Sequence, residues 1–196
     1  MTLLDRFRAQ SRDKHSDPAV RRAFVESLPL SEKEAIAAAA REDDDAGVRK
    51  AAVSKLMDPA ALAAVAREDR DDAVRAQALT MLRDIALESF EEVGQAESLQ
   101  AIDALSDQKV LAQVAKTATH EASAGRALGK VSELNQLASI ARHAAVEAVR
   151  MDALGRVKAQ DAHDELLAIA LNSDFKDTAL AALEQITDRA ELEQVI

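Results

Sequence analysis

The groups in this 196-residue chain that could do chemistry are few: four histidines, His15, His120, His143 and His163, and two dense carboxylate runs, Glu42-Asp43-Asp44-Asp45 and Glu68-Asp69-Arg70-Asp71-Asp72. Crowded carboxylates can hold Ca²⁺, yet neither run has the alternating spacing and distal Glu of a calcium loop. Each reads instead as a solvated turn whose last Asp caps the next helix. No two histidines stand four apart, the spacing with which one helix face grips a metal, so they read as ordinary surface side chains in or near turns. The absence of cysteine removes disulfide frameworks, thiolate metal sites and cysteine nucleophiles. No glycine-rich phosphate loop, G-x-S-x-G elbow or H-E-x-x-H segment occurs. Gly129 and Gly155 occupy matching positions in successive repeats and predict close helix packing rather than ligand approach. The expectation is a non-enzyme with no catalytic residue, no metal and no cofactor.

One polar arrangement recurs. Arg21, Arg49, Arg75 and Arg150 each follow a valine, with Lys176 after Phe175, and in the first three an Asp stands four residues earlier: Asp17, Asp45 and Asp71. An acid four residues before an arginine stabilises a helix by about 0.3 kcal/mol. Stacked repeats would align these pairs as a structural ladder. A row of arginines could instead hold an anion, but each already has a carboxylate nearby.

Composition narrows the partners. The chain is 48% hydrophobic and 31% charged, enough for a buried core and too charged to span a membrane. A formal charge of −10 and the lack of Trp and Tyr argue against nucleic acid, which calls for a basic groove and stacking aromatics. A short basic stretch from Arg6 to Arg22 departs from this balance and reads as a capping segment. No apolar run approaches the roughly 18 residues of a membrane span, and the charged N-terminus lacks a secretory pattern. A cytoplasmic location is the default expectation.

The elements that carry these groups follow from an internal repeat. With the valine of each Val-Arg pair as column zero, the positions are Val20, Val48, Val74, Glu97, Ser123, Val149 and Phe175, at steps of 28, 26, 23, 26, 26 and 26 residues. Four further on stand Phe24, Ala52, Ala78, Ala101, Ala127, Ala153 and Ala179; five on, Val25, Val53, Leu79, Ile102, Leu128, Leu154 and Leu180; eight on, Leu28, Leu56, Leu82, Leu105, Val131, Val157 and Leu183. These offsets trace one stripe of an α-helix. A preceding helix carries its own stripe, as in Ile36, Ala39 and Ala40, or Leu137, Ile140 and Ala141. Its middle member lies nine residues before column zero in four repeats and six before it in the last, so a tight turn joins the two helices. Asp17-Pro18 and Asp58-Pro59 mark helix starts, and Ser31 with Glu34, and Asp188 with Glu191, have capping-box spacing. Between Leu82 and Glu97 the apolar register shifts and three residues are missing, which predicts an irregular first helix or one fused to the helix before it, with a break near Gly94.

The predicted fold is all-α: one right-handed α-solenoid of seven helical hairpins over 2–28, 31–56, 58–83, 84–105, 107–131, 132–157 and 161–186, with a partial eighth over 188–196. The D-P-x-V-R-x-x-A-x-x-x-L pattern at Asp17–Leu28, echoed over Asp45–Leu56 and Asp71–Leu82, resembles the bacterial HEAT-like repeats grouped with phycobilisome-lyase repeats. Phe24 stands at the alanine position of the first copy. The opening, through Lys14-His15 to Asp17, is similar to the start of some large bacterial proteins that carry a domain of unknown function after such an array. The resemblance implies the solenoid and says little about activity, because such repeats serve scaffolds, lyase subunits and regulators alike.

The functional expectation is a monomeric scaffold or binding arm that takes another protein on the concave face formed by the second helices. Residues two past column zero, Arg22, Lys50, Ala76, Leu99, Gly125, Met151 and Asp177, are the candidate contacts. The alternative is an accessory subunit or a lyase-type enzyme of the same repeat class. Because Leu192, Val195 and Ile196 repeat core columns without a covering helix, the chain is expected to be a fragment of a longer protein.

Overall fold

Alanine dominates the apolar set and only five Gly and three Pro interrupt 196 residues, so helix is the favoured local state throughout. The computed structural model describes residues 11–91 and 93–186, and every regular element among them is helical. A 3₁₀ turn at Arg12–Lys14 precedes α1 (Pro18–Ser27), α2 (Lys33–Glu42), α3 (Ala46–Val53), α4 (Pro59–Glu68), α5 (Asp72–Ala86) and α6 (Gln95–Ala104). Then follow α7 (Gln108–Thr117), α8 (Glu121–Lys130), α9 (Leu134–His143), α10 (Glu147–Lys158), α11 (His163–Asn172) and α12 (Lys176–Leu183). The partial repeat at 188–196, with its Asp188–Glu191 box, and the first helix of the opening repeat lie outside the described residues.

Capping chemistry sets where many of these helices begin. Asp17 accepts from the Ala19 amide, Asp45 from Val48, Asp58 from Ala60 and Ala61, and Asp107 from Lys109 and Val110, at 2.9 to 3.2 Å. Each satisfies orphan donors of a first turn. The Ser31–Glu34 box does not form: α2 begins at Lys33 after Glu32, whose side chain makes no cap bond.

In five hairpins the two helices are separated by three residues, at 43–45, 69–71, 118–120, 144–146 and 173–175. Links between hairpins vary from three to five residues. The chain divides into two units, 1–82 and 83–196, with the boundary falling within α5. In the first, α1 packs on α3 and α2 on α3 and α4. In the second, α6, α8, α10 and α12 pack one on the next, α7, α9 and α11 do the same, and each first helix also packs on its own second helix. Successive turns are joined by backbone bonds from Ala145 N–H to the Lys116 carbonyl (3.0 Å) and from Asp174 N–H to that of Arg142 (3.1 Å).

The buried stripes follow the columns through most of the chain. Val48, Ala52, Val53 and Leu56, and Ala124, Ala127, Leu128 and Val131, are buried, as are Ile36, Leu62, Leu111, Leu137 and Leu166 of the first helices. Small alanines let helices approach closely, and the larger side chains fill what remains; each fully buried leucine contributes roughly 2 kcal/mol. Three of the column positions are exposed. Leu79 is 47% exposed and Leu180 49%, and Glu97 is exposed where Ser98 beside it is buried.

The last repeat explains Leu180. Thr178 and Ala182 of α12, and Ile186 just after it, are the buried positions, so column zero is Thr178, not Phe175. Ile169 then precedes column zero by nine residues, as in the other hairpins. Of the three extra residues, two lengthen α10 relative to α8 and one lies in the link after it, where Asp161 adopts a left-handed conformation (φ 50°).

In the irregular stretch the first helix is fused to its predecessor, α5 running on to Ala86. It ends in a left-handed Glu88 (φ 56°), with Ser89 N–H bonded to the Asp84 carbonyl and Glu88 N–H to that of Ile85. This is the bond pattern of a Schellman cap with Glu where glycine is usual. Gly94 caps α6.

Candidate interaction face

The predicted intrahelical ladder is not what the arginines build. Arg21 reaches forward to Asp43, 22 residues on, with Nε–Oδ2 at 2.7 Å and a second guanidinium bond at 2.8 Å. Arg49 grips Asp69 likewise at 2.8 and 2.9 Å. Each also donates to two carbonyls of its own preceding turn, His15 and Ser16 for Arg21, Asp43 and Asp44 for Arg49. The aspartates four residues earlier, Asp17, Asp45 and Asp71, are occupied as caps, because an N-cap carboxylate points at amides rather than along the helix. Arg75 donates to the Asp69 carbonyl and pairs with Asp72. Arg150, 4% exposed, bonds the Ala144 and Ala145 carbonyls, Thr178 and Asp177, and lies 3.5 Å from the centroid of Phe175. The Arg21 guanidinium holds the Asp43 carboxyl below its ordinary range, as Arg49 does for Asp69. These arginines are tied down inside the stack and present no anion site.

A second set of links escapes the sequence pattern. Lys55, seven past column zero, places its ammonium on the carbonyls of Val25, Glu26 and Leu28, the open end of α1. Lys130, in the same column, does so for Ile102, Asp103 and Leu105 at 2.6 to 2.8 Å, and Arg156 donates to the Leu128 carbonyl at 3.1 Å. Burial pushes the Lys130 ammonium down from its ordinary value. Three basic residues in one column were the available signal; such residues usually lie on a solvated face, and that hid it.

Glu88 forms a third polar cluster. Its carboxylate accepts from Thr119 (3.0 Å) and Ser123 (3.0 Å), lies 2.9 Å from His120 Nδ1, and Ser123 in turn contacts the buried Ser98 at 3.2 Å. Burial pushes this carboxyl up, and the bonds from His120, Ser123 and Thr119 outweigh it and hold the group below its ordinary range. Both the serine and the histidine spend their bonds on one carboxylate, so neither activates the other; the cluster fastens α8 to the turn after α5. His143 pairs with Asp174 at 2.7 Å, linking successive hairpins.

The exposed side of the second helices is organised differently. In the first unit, Arg22, Lys50 and Ala76 are all exposed, Arg22 paired with Glu26. In the second unit Leu99 is half-buried, and Gly125 and Met151 are exposed, the latter by 40%. The register of α12 replaces Asp177 in this row with Leu180. Asp177 is instead in the first turn of α12, committed to Arg150. The row in 83–196 is therefore uniformly uncharged: Leu99, Gly125, Met151, Leu180.

Between α8 and α10 this row opens into a groove of about 550 Å³. Ala122, Gly125, Ala148 and Val149 line its floor, with Glu121, Arg126 and Asp152 at the rim. Close packing does not explain the glycines. A side chain at Gly125, Gly129 or Gly155 would meet nothing within 4 Å, and all three are exposed. No family model, curated protein or solved structure matches this chain. Its own geometry is thus the basis for reading the face.

No described helix is long and apolar enough to cross a membrane, and the described residues contain no cluster of three metal-ligating side chains. The acidic turns are accounted for by their bonds: Asp43 and Asp69 hold arginines, and Asp45 and Asp71 cap helices.

Proposed function

We propose that this chain is a HEAT-like array, a right-handed α-solenoid of about seven hairpins, that serves as a cytoplasmic, monomeric protein-binding scaffold or as the binding arm of a larger bacterial protein. It has no catalytic role of its own in this reading. The partner docks on the face of the second helices.

The observation that carries this reading is the uncharged row along four successively packed helices, with Leu99 half-buried and Gly125, Met151 and Leu180 exposed. An aligned apolar row left in water invites a partner, whereas isolated surface apolar residues need no explanation. The recurrence of hairpins packed first on first and second on second supports the solenoid. The commitment of Arg49, Arg150, Glu88 and Ser123 to structural bonds supports a non-catalytic role.

The test is affinity capture from the native host with the wild-type chain and with a Met151→Asp/Leu180→Asp variant, read by mass spectrometry. Both positions are exposed, so the variant keeps the helical spectrum of the parent. A partner held by the wild type and lost by the variant is the expected result. Capture of no partner, or of the same partners by both proteins, would refute the reading.

A further inference from the structure

The α8–α10 groove has a charge pattern that specifies more than a generic apolar contact. The cation at its rim, and two farther along the same helices, are spent. Arg126 is held by both oxygens of Asp103 at 2.7 and 2.8 Å, Arg156 by Asp152 and the Leu128 carbonyl, and Lys130 by three carbonyls. The carboxylates of Glu121 and Glu147, in the first turns of α8 and α10, are exposed and have no cationic partner among the described residues. The uncompensated charge along this edge is thus negative, beside an uncharged floor.

We infer that this groove receives one face of an amphipathic helix from a partner protein, its apolar side chains over Gly125 and beside Met151 and its basic edge against Glu121 and Glu147. This deepens the scaffold reading and rests on it. A helix is favoured over an extended segment because its backbone amides and carbonyls are bonded internally. An extended segment would lay unpaired amides and carbonyls across Ala122, Gly125, Ala148 and Met151, whose side chains offer no hydrogen bond. Gly125 matters by omission: without a side chain there, the partner's apolar groups approach the α8 backbone directly, and the space above it is open. Lysine or arginine along one edge answers the two free glutamates, and an acidic partner is repelled by them. The glutamates also suit the helix N-termini on which they stand, a role that continues when a cation approaches from outside.

The experiment uses the full chain and a fluorescent synthetic helix of about 18 residues, five turns, with leucines on one face and lysines along one edge. Controls carry glutamates on that edge, or serines in place of the leucines. Saturable binding of the basic-edged peptide is expected, weakened about tenfold by Gly125→Gln and by Met151→Gln, with helical content unchanged because both sites are exposed and open. Glu121→Gln/Glu147→Gln is expected to weaken it about threefold and to flatten its salt dependence. Equal binding by Gly125→Gln and Met151→Gln would show that the peptide sits elsewhere, and equal binding of the glutamate-edged control would remove the charge argument; either overturns the inference. A natural partner captured through Met151 and Leu180 but not displaced by the basic peptide overturns this inference alone and leaves the scaffold reading standing.

Discussion

Arg49 and Arg22 are the same residue type in second helices, yet differ in what they do. Arg49 is 2% exposed, bidentate on Asp69 and bonded to two carbonyls, so removing it strands a buried carboxylate and two acceptors. Arg22 meets Glu26 in water, with 60% of its side chain exposed. Arg49→Ala is expected to cost about 3 kcal/mol in urea unfolding, and Arg22→Ala less than about 0.5 kcal/mol. Equal effects would mean that the bidentate pair is not a structural bond. Acid gives a second handle. Because Asp43 and Asp69 have carboxyl values depressed in the folded state, their contribution is present above the ordinary value of 3.8 and is lost as the pH falls below it. A Asp43→Asn/Asp69→Asn variant should therefore show a shallower fall of melting temperature between neutral pH and the region below 3.8 than the wild type does.

Helix identity was legible in the sequence because alanine and leucine columns repeat at offsets that only one helix face can satisfy. Bond partners were not. A periodic pattern makes Asp45–Arg49 look like a pair within one helix, while the carboxylate that Arg49 grips is 20 residues on, in the next hairpin. The last register was hidden by Phe175, an apolar residue at the expected step that turns out to sit at the N-cap of α12 under the Arg150 guanidinium, while the true column zero is a threonine. Once α12 is read from Thr178, Leu180 joins the exposed row, so one three-residue insertion had concealed part of the candidate face. The second helices also make their own predictions. Gly129 and Gly155 are helical, exposed and open, so alanine at either should stabilise the protein by about 0.5 to 1 kcal/mol in chemical denaturation; a loss would restore the close-packing explanation. Lys130→Met keeps the aliphatic stem and removes the donor, leaving the Ile102, Asp103 and Leu105 carbonyls without it, and should lower stability by about 1 to 2 kcal/mol in the same assay.

At the scale of the whole molecule, far-UV circular dichroism should be dominated by helix, since every regular element among the described residues is helical. Ala52 and Ala127 are fully buried where second helices meet their neighbours, α3 against α1 and α2, α8 against α6, α7 and α10. Aspartate at either would carry a charge into a closely packed, fully buried space. A loss of more than about 3 kcal/mol is expected, read as a large drop in melting temperature. Retention of the parental melt would mean that these columns face water.

The forward reach of Arg49 and the backward reach of Lys130 bear on how such a gene can change its length. The second and sixth hairpins each offer a donor to the hairpin ahead, Arg49 and Arg150, and another to the helix end behind, Lys55 and Arg156, so copying either one whole rejoins sockets that still fit. Copying a single helix leaves a guanidinium without its carboxylate or a helix end without its ammonium. The extra residues of the last repeat fall past Val157, at the end of α10 and in the link around Asp161. Changes of length are thereby expected to be tolerated in two sizes, whole hairpins and a few residues between the end of a second helix and the next hairpin.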